Sequence, residues 1–297
     1  SGSGTAAIGR ILEEDGVIKS ARQFKIKSRM DKNDGKYRTG VYELSPSMDM
    51  DEIMQILMDG SQNTLRFMVP EGYTLKQIAD KFAETGNGTA EDFLNETENG
   101  DFDFEYNDQM VDGEKRYEGF LYPDTYEIYK NESAHGIIQR MLTRFEQVYD
   151  AAADEATVDT SKYSVFDLVT VASLIEREVK LDEERPLVAS VIYNRLNKNM
   201  KLQMCSTVQY ALGTPKARLM NSDLKIDSPY NTYQNAGLPA GPIASPGQAS
   251  ISAALHPADT DYLYFVLTSA GSGKHNFAAT GDDFNSYRED YLASLTE

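Results

Sequence analysis

The stretch "VASLIEREVKLDEERPLVASVIYNRL", residues 171–196, decides the fold. Upstream and through it, apolar side chains recur at 165, 168, 169, 171, 172, 174, 175 and 179. So full an apolar surface belongs to a helix inside a core. Glu176 continues the stripe of Val165, Val169 and Ala172, close to where this helix should end. A glutamate there costs several kcal/mol if it is ionised and unpaired, so it is bonded, protonated or functional. Burial favours the protonated carboxyl, which suits a general acid near neutral pH. The structural alternative is a buried salt bridge to Arg177, Arg185 or Arg195. Glu178, two residues on, lies about 200° around the helix, so the two glutamates cannot face one bond.

Working outward, "DEERP" (182–186) opens a second helix. Its acids sit where the helix dipole favours them and Pro186 where no backbone N–H is needed. "MKLQMCSTVQYALG" (200–213) reads as an extended piece and a third helix, with Ser206 or Thr207 as its cap. Cys205 has no histidine near it in sequence and is expected to be a buried packing residue. "SPYNTYQNAGLPAGPIASPG" (228–247) is too rich in proline and glycine for a helix and too constrained for a linker, so it should build a cleft on the helical scaffold. With no tryptophan in the chain, sugar stacking falls to Tyr230 and Tyr233. "DYLYFVLTSAGSGKHNFAAT" (261–280) reads as a β-hairpin.

Towards the N-terminus a degenerate repeat appears. Gly2 and Gly72 each precede an isoleucine by six residues, Ile8 and Ile78. Leu12 and Phe82 follow one turn later, and Gly16 and Gly86 break the helices. Ser20 and Thr89 then cap a second short helix in each copy. The second copy follows the strand-like "NTLRFMVPEG" (63–72), and the first lacks that strand. The pattern is that of a LysM-type glycan-binding module; two unrelated helix pairs are the alternative. Between the copies, "YRTGVYEL" (37–44) alternates like a strand, and "DMDEIMQILMDG" (49–60) is an amphipathic helix ending at Gly60. The acidic stretch 95–116 reads as a solvated surface loop and domain boundary. The expected architecture is α+β: a LysM-like region over 1–113 and a mainly helical catalytic domain with a β-hairpin over 114–297.

A length of 297 residues is enough for a substantial core, and a net charge of −18 argues against nucleic acid and against anionic lipid surfaces as partners. A single cysteine excludes an internal disulfide. No nucleotide loop or Ser/His/Asp arrangement stands out, and no clustered His/Cys set implies a metal. The chain begins inside the first repeat, so an N-terminal segment is expected before it.

The segments "EGFLYPDTYEI" (118–128), "ASLIEREV" (172–179), "VIYNRL" (191–196), "LQMCSTVQYALG" (202–213), "NTYQNAGLPAGPIASPG" (231–247) and "ALHPADTDYLYFV" (254–266) follow one another in an order that resembles the endolytic murein transglycosylases of the MltG (YceG-like) family. The resemblance implies that Glu176, in the ASxxE position, is catalytic. It also implies that Gln203, Asn231, Thr232, Tyr233, Gly237, Leu238 and Pro239 line the cleft. It implies cleavage of the MurNAc-β-1,4-GlcNAc bond of peptidoglycan to 1,6-anhydroMurNAc ends, with no cofactor. A single-pass membrane anchor N-terminal to this chain is implied, with the catalytic part extracytoplasmic and cell-wall synthesis enzymes as candidate partners. Two departures stand out: Cys205-Ser206 replaces a common Asp-Pro, and Phe284 replaces a histidine. The rivals are a hydrolase of the same glycan, needing a second carboxylate such as Asp124, and a non-catalytic glycan-binding scaffold.

Overall fold

The computed structural model describes residues 4–40, 42, 44–60, 64–154, 156–214, 216 and 218–295, which form two compact units. The first comprises Ser1–Phe67, Thr85–Asn87 and Tyr126–Ser133. Its helices α1 (Thr5–Glu14) and α2 (Ala21–Met30) pack on each other, and Ser20 caps α2 by accepting from the Gln23 N–H at 3.3 Å. Helix α3 (Met50–Asp59) opens on a reciprocal box between Asp49 and Glu52 and stops at Gly60, where φ is +80°. Leu12, Ile18, Phe24, Ile53, Met54 and Leu57 bury their side chains together as the unit's core. Strands β1 (Thr64–Met68) and β2 (Thr125–Tyr129) pair in a two-stranded sheet, of which 64–67 and 126–129 belong to this unit.

The strand expected over 37–44 is absent among its described residues. Alternation alone does not supply a partner strand: the Arg38 N–H donates to the Leu57 carbonyl at 2.9 Å, and the Tyr42 hydroxyl donates to the Arg38 carbonyl at 2.7 Å. The end of a helix and a side chain satisfy the groups that a ladder would use. Residues 41 and 43 lie outside the described residues, as do Gly2 of the repeat and Asn63 before β1.

The second unit comprises Met68–Glu84, Gly88–Thr125 and Ala134–Glu297. Helices α4 (Leu75–Ala83) and α5 (Ala90–Asn99) each start with a capping box, from Thr74 and Thr89, and pack through Phe82 and Phe93 at 5.0 Å between ring centroids. The acidic stretch does not run as a free solvated loop. Its first five residues complete α5, and Phe102 and Phe104 are buried beyond it, Phe104 edge-on to Phe120 and Phe145. Phe145 comes from α6 (Ala134–Ala153), so two aromatic anchors hold the acidic residues to a helix.

Helix α7 (Val165–Glu178) is boxed at its start by Ser164 and Asp167 and buried at every residue from Leu168 to Ile175, as the apolar run requires. Helix α8 (Arg185–Asn197) carries Pro186 in its first turn, and α9 (Cys205–Leu212) ends at Gly213 in the left-handed region. Helix α10 (Gln248–Leu255) packs on α6, α7 and α8. The hairpin of β3 (Tyr264–Leu267) and β4 (His275–Ala278) is antiparallel, with Phe265 opposite Phe277, and α11 (Gly281–Ser294) covers it. Glu184 ties the hairpin to the start of α8 by accepting from the His275 backbone N–H at 2.9 Å and contacting its Nδ1 at 2.7 Å. The chain is therefore an α+β protein, mainly helical in its second unit.

Candidate active site

The last turn of α7 brings Glu176 against the first turns of α8 and α10. One carboxylate oxygen, Oε2, accepts from the Ser250 hydroxyl at 2.8 Å, the Gly247 backbone N–H at 3.1 Å and Arg185 Nη1 at 3.3 Å. Only 9 % of the Glu176 side chain and 8 % of the Arg185 side chain reach solvent. Arg185 is pinned in turn, its Nε donating to Asp182 at 3.0 Å and its Nη1 to Ser250 Oγ at 2.5 Å. Gly247 is the N-cap of α10, so the carboxylate sits where a free backbone N–H and the helix dipole both favour negative charge.

Of the three arginines named as ion-pair partners, the fold selects Arg185. Arg177 reaches the Gly72 carbonyl at 3.1 Å, and Arg195 is spent on the carbonyls of Lys201, Leu202 and Leu263. A buried ion pair is therefore present, and it stands at the end of the 228–247 loop rather than away from it. That loop closes on α7: Ile243 N–H donates to Ser173 Oγ at 3.1 Å, and Gly241 leaves room for the Phe166 ring.

A second carboxyl shares this place. The turn after β1, Pro70 to Thr74, is stitched to the loop by two backbone bonds, Gly72 N–H to the Ser245 carbonyl at 2.8 Å and Ser245 N–H to the Tyr73 carbonyl at 2.7 Å. Gly72 has φ of +76°, and a Cβ there would stand 3.8 Å from Glu176 Cγ, so the turn needs glycine to follow this path beside the glutamate. The neighbouring Glu71 lays its carboxylate on Gly247, where an added Cβ would fall 1.9 Å from Glu71 Oε1. Partial burial, and after it the negative charge of Glu176, hold the Glu71 carboxyl above the ordinary carboxylate range. Sequence reading missed Glu71. Asp124, the second carboxylate it named, is instead paired with Arg144 Nε at 3.0 Å.

Among the remaining expected site residues, Gln203, Thr232 and Tyr233 lie where α9 begins, and the same place is reached by Glu178. Its Oε1 accepts from the Ser206 N–H at 3.2 Å, so the cap of α9 is a glutamate from α7 rather than Ser206 or Thr207. Thr232 is buried and accepts from the Met204 N–H at 3.0 Å, while Gln203 has φ of +50° and bonds the Thr232 carbonyl through its N–H. Asn231, also buried, donates to the Leu224 and Ile226 carbonyls at 3.1 and 2.8 Å and accepts from the Tyr233 N–H. Asn231 and Thr232 thus shape the loop from within.

The Tyr233 hydroxyl lies 3.2 Å from Cys205 Sγ, and Cys205 is exposed, not the buried packing residue expected, because it opens α9 on the solvent side. Gly237 has φ of +87° with open space where a Cβ would go; Leu238 is half-buried and Pro239 buried. Among the described residues no hydrogen bond joins Glu176 to Gln203, Asn231, Thr232, Tyr233, Gly237, Leu238 or Pro239.

Comparison with known proteins bears on what such a site is for. A family model, the YceG-like family, matches residues 1–290. An endolytic murein transglycosylase of Bacillus subtilis (strain 168) is 38 % identical, with all of this chain covering 84 % of that protein. One from Streptococcus pneumoniae (serotype 2, strain D39) is 32 % identical over 95 % of this chain, which spans 55 % of that longer protein. A crystal structure of a yceG-like protein from Listeria monocytogenes is 36 % identical, with 96 % of each chain covered and a TM-score of 0.65. On the family match across nearly its whole length, the chain belongs to the YceG-like family.

Proposed function

We infer that the protein is an endolytic murein transglycosylase, a lyase that cuts the MurNAc-β-1,4-GlcNAc bond within peptidoglycan strands and leaves 1,6-anhydroMurNAc ends. The relatives that carry this name support the reading. The observation that carries the chemistry is the placement of Glu176, a nearly buried carboxylate on a core helix with three donors on one oxygen. Glu176 first gives its proton to the glycosidic oxygen. Ser250, the Gly247 N–H and Arg185 then stabilise the anion so formed, and that anion takes the proton of the muramic O6 hydroxyl as O6 closes on C1. No water enters, so no second carboxylate is needed to activate one.

Gln203, Tyr233, Gly237 and Leu238 are proposed to hold the glycan, with Asn231, Thr232 and Pro239 shaping the wall. We further propose that residues 1–113 contribute LysM-like glycan binding and 114–297 the catalysis. The chain order β1, α4, α5, β2 and the earlier helix pair α1–α2 support the LysM-like pattern, with β2 lying beyond residue 113 and the Glu71 turn before it reaching the Glu176 site. Trimming or terminating nascent strands from a single-pass membrane anchor outside this chain completes the reading.

The test is mass spectrometry of peptidoglycan digested by the purified protein. Anhydro-ended muropeptides are expected; new reducing ends would make it a hydrolase, and intact glycan a binding scaffold. The same digestion in EDTA should proceed at an unchanged rate, since every step above uses only side chains and substrate.

A further inference from the structure

We propose that Glu71 is a second carboxyl of the reaction centre, coupled to Glu176 across Gly247 so that the pair keeps one proton available for the glycosidic oxygen. The inference rests on the transglycosylase reading above. A residue that must first be an acid and then a base faces a conflict in this site: three donors converge on Glu176 Oε2, and all three favour its anion. Something must oppose them if a proton is to be present when the glycan arrives.

Glu71 is placed to do so. Gly247 gives its N–H to Glu176 and offers its Cα face to the Glu71 carboxylate. The two backbone bonds between 72–73 and Ser245, with the Arg177 bond to the Gly72 carbonyl, fix the turn that carries it. Glu71 is solvent-reachable, so the pair can exchange its proton with water between turnovers. The charged and titratable groups that act on Glu71 are Glu176, Arg185 and Asp182, and Tyr122 feels its charge in turn. Two neighbouring carboxylates repel when both are bare, so the pair favours one shared proton over two charges. Its release to the glycosidic oxygen leaves both carboxylates ionised, and the O6 proton taken up at ring closure restores the starting count. Acting through Glu176, Glu71 is a positioning residue.

The test compares wild type, Glu71→Gln, Glu71→Asp and Gly247→Ala by the pH profile of anhydro-muropeptide release from purified peptidoglycan, with melting temperatures measured alongside. Glu71→Gln removes the repelling charge. The alkaline limb of kcat should move to lower pH and the rate at neutral pH should fall roughly tenfold or more, with KM little changed. Glu71→Asp keeps the charge and should restore part of the rate. Gly247→Ala retains the N–H to Glu176, but its methyl meets the Glu71 carboxylate before any other group, so it should displace Glu71 and reproduce the pH shift without removing a charge.

A folded Glu71→Gln protein with the wild-type profile would overturn the proposal. So would matching losses in Glu71→Gln and Glu71→Asp that follow melting temperature with no pH shift. A wild-type protein that releases no anhydro ends would instead overturn the transglycosylase reading, before Glu71 comes into question.

Discussion

Glu176 carries two duties that its substitution should separate. In Glu176→Gln the amide oxygen can still accept from Ser250 or the Gly247 N–H, but it can neither donate nor recover a proton during the reaction. Loss of acid–base catalysis is worth about 10²- to 10⁴-fold in rate. Arg185 loses one charged partner yet keeps another, Asp182, together with Ser250. The stability cost should therefore be about 1.5–3 kcal/mol, the range for a charged hydrogen bond, rather than the larger cost of an arginine stranded alone. Muropeptide release and thermal unfolding measured on the same preparation check both. A variant that retains full activity would take the chemistry away from Glu176, and one that fails to fold would make the ion pair its main role.

At the scale of elements, Glu178 does for α9 what Glu176 does for α10: a carboxylate from the end of α7 meets the N–H groups that begin another helix. The difference is what stands nearby. Glu178 faces the Gln203–Tyr233 side, so Glu178→Gln should weaken the start of α9 by about 1 kcal/mol, as loss of a cap does, and raise KM for glycan more than it lowers kcat. Equal loss of kcat in the two glutamine variants would contradict the division of labour. Much at this scale was legible from sequence. Helices α3, α7 and α8 carry their own boundaries in capping boxes, a terminal glycine and a first-turn proline. What could not be read was pairing between distant segments. The β1–β2 sheet joins stretches about sixty residues apart, the cap of α9 lies on another helix, and Glu71 looks like an ordinary turn residue until the Ser245 bonds carry it to Gly247. The 37–44 alternation misled for the same reason, since a period of two says which faces a strand would have but not whether a neighbour exists.

At the scale of the whole molecule, the second unit holds a buried acid, Glu118, that shares no hydrogen-bond partner with Glu176 among the described residues. Its Oε1 accepts from the Leu75 N–H at the start of α4 at 2.8 Å, and its Oε2 from the Tyr210 hydroxyl of α9, also at 2.8 Å. Burial pushes its carboxyl up to about 7, and those two donors, with Lys115 nearby, only partly offset the loss of solvent. The folded state thus binds a proton that the unfolded chain has already released between pH 4.5 and about 7. Where the native state holds more protons, stability falls as pH rises. The loss should run through that window, level off above it, and amount to about 3–4 kcal/mol at most, at roughly 1.4 kcal/mol per pH unit of difference. Glu118→Gln keeps an acceptor for Leu75 and has nothing to ionise. Every other titrating group of this strongly acidic chain acts on both proteins alike and cancels in the comparison. The gap between their melting temperatures should therefore be small at pH 4.5 and move in the variant's favour by several degrees by pH 8. A gap that stays constant across the range would mean that Glu118 is ionised in the folded protein throughout, its charge carried by Tyr210, Leu75 and Lys115 after all.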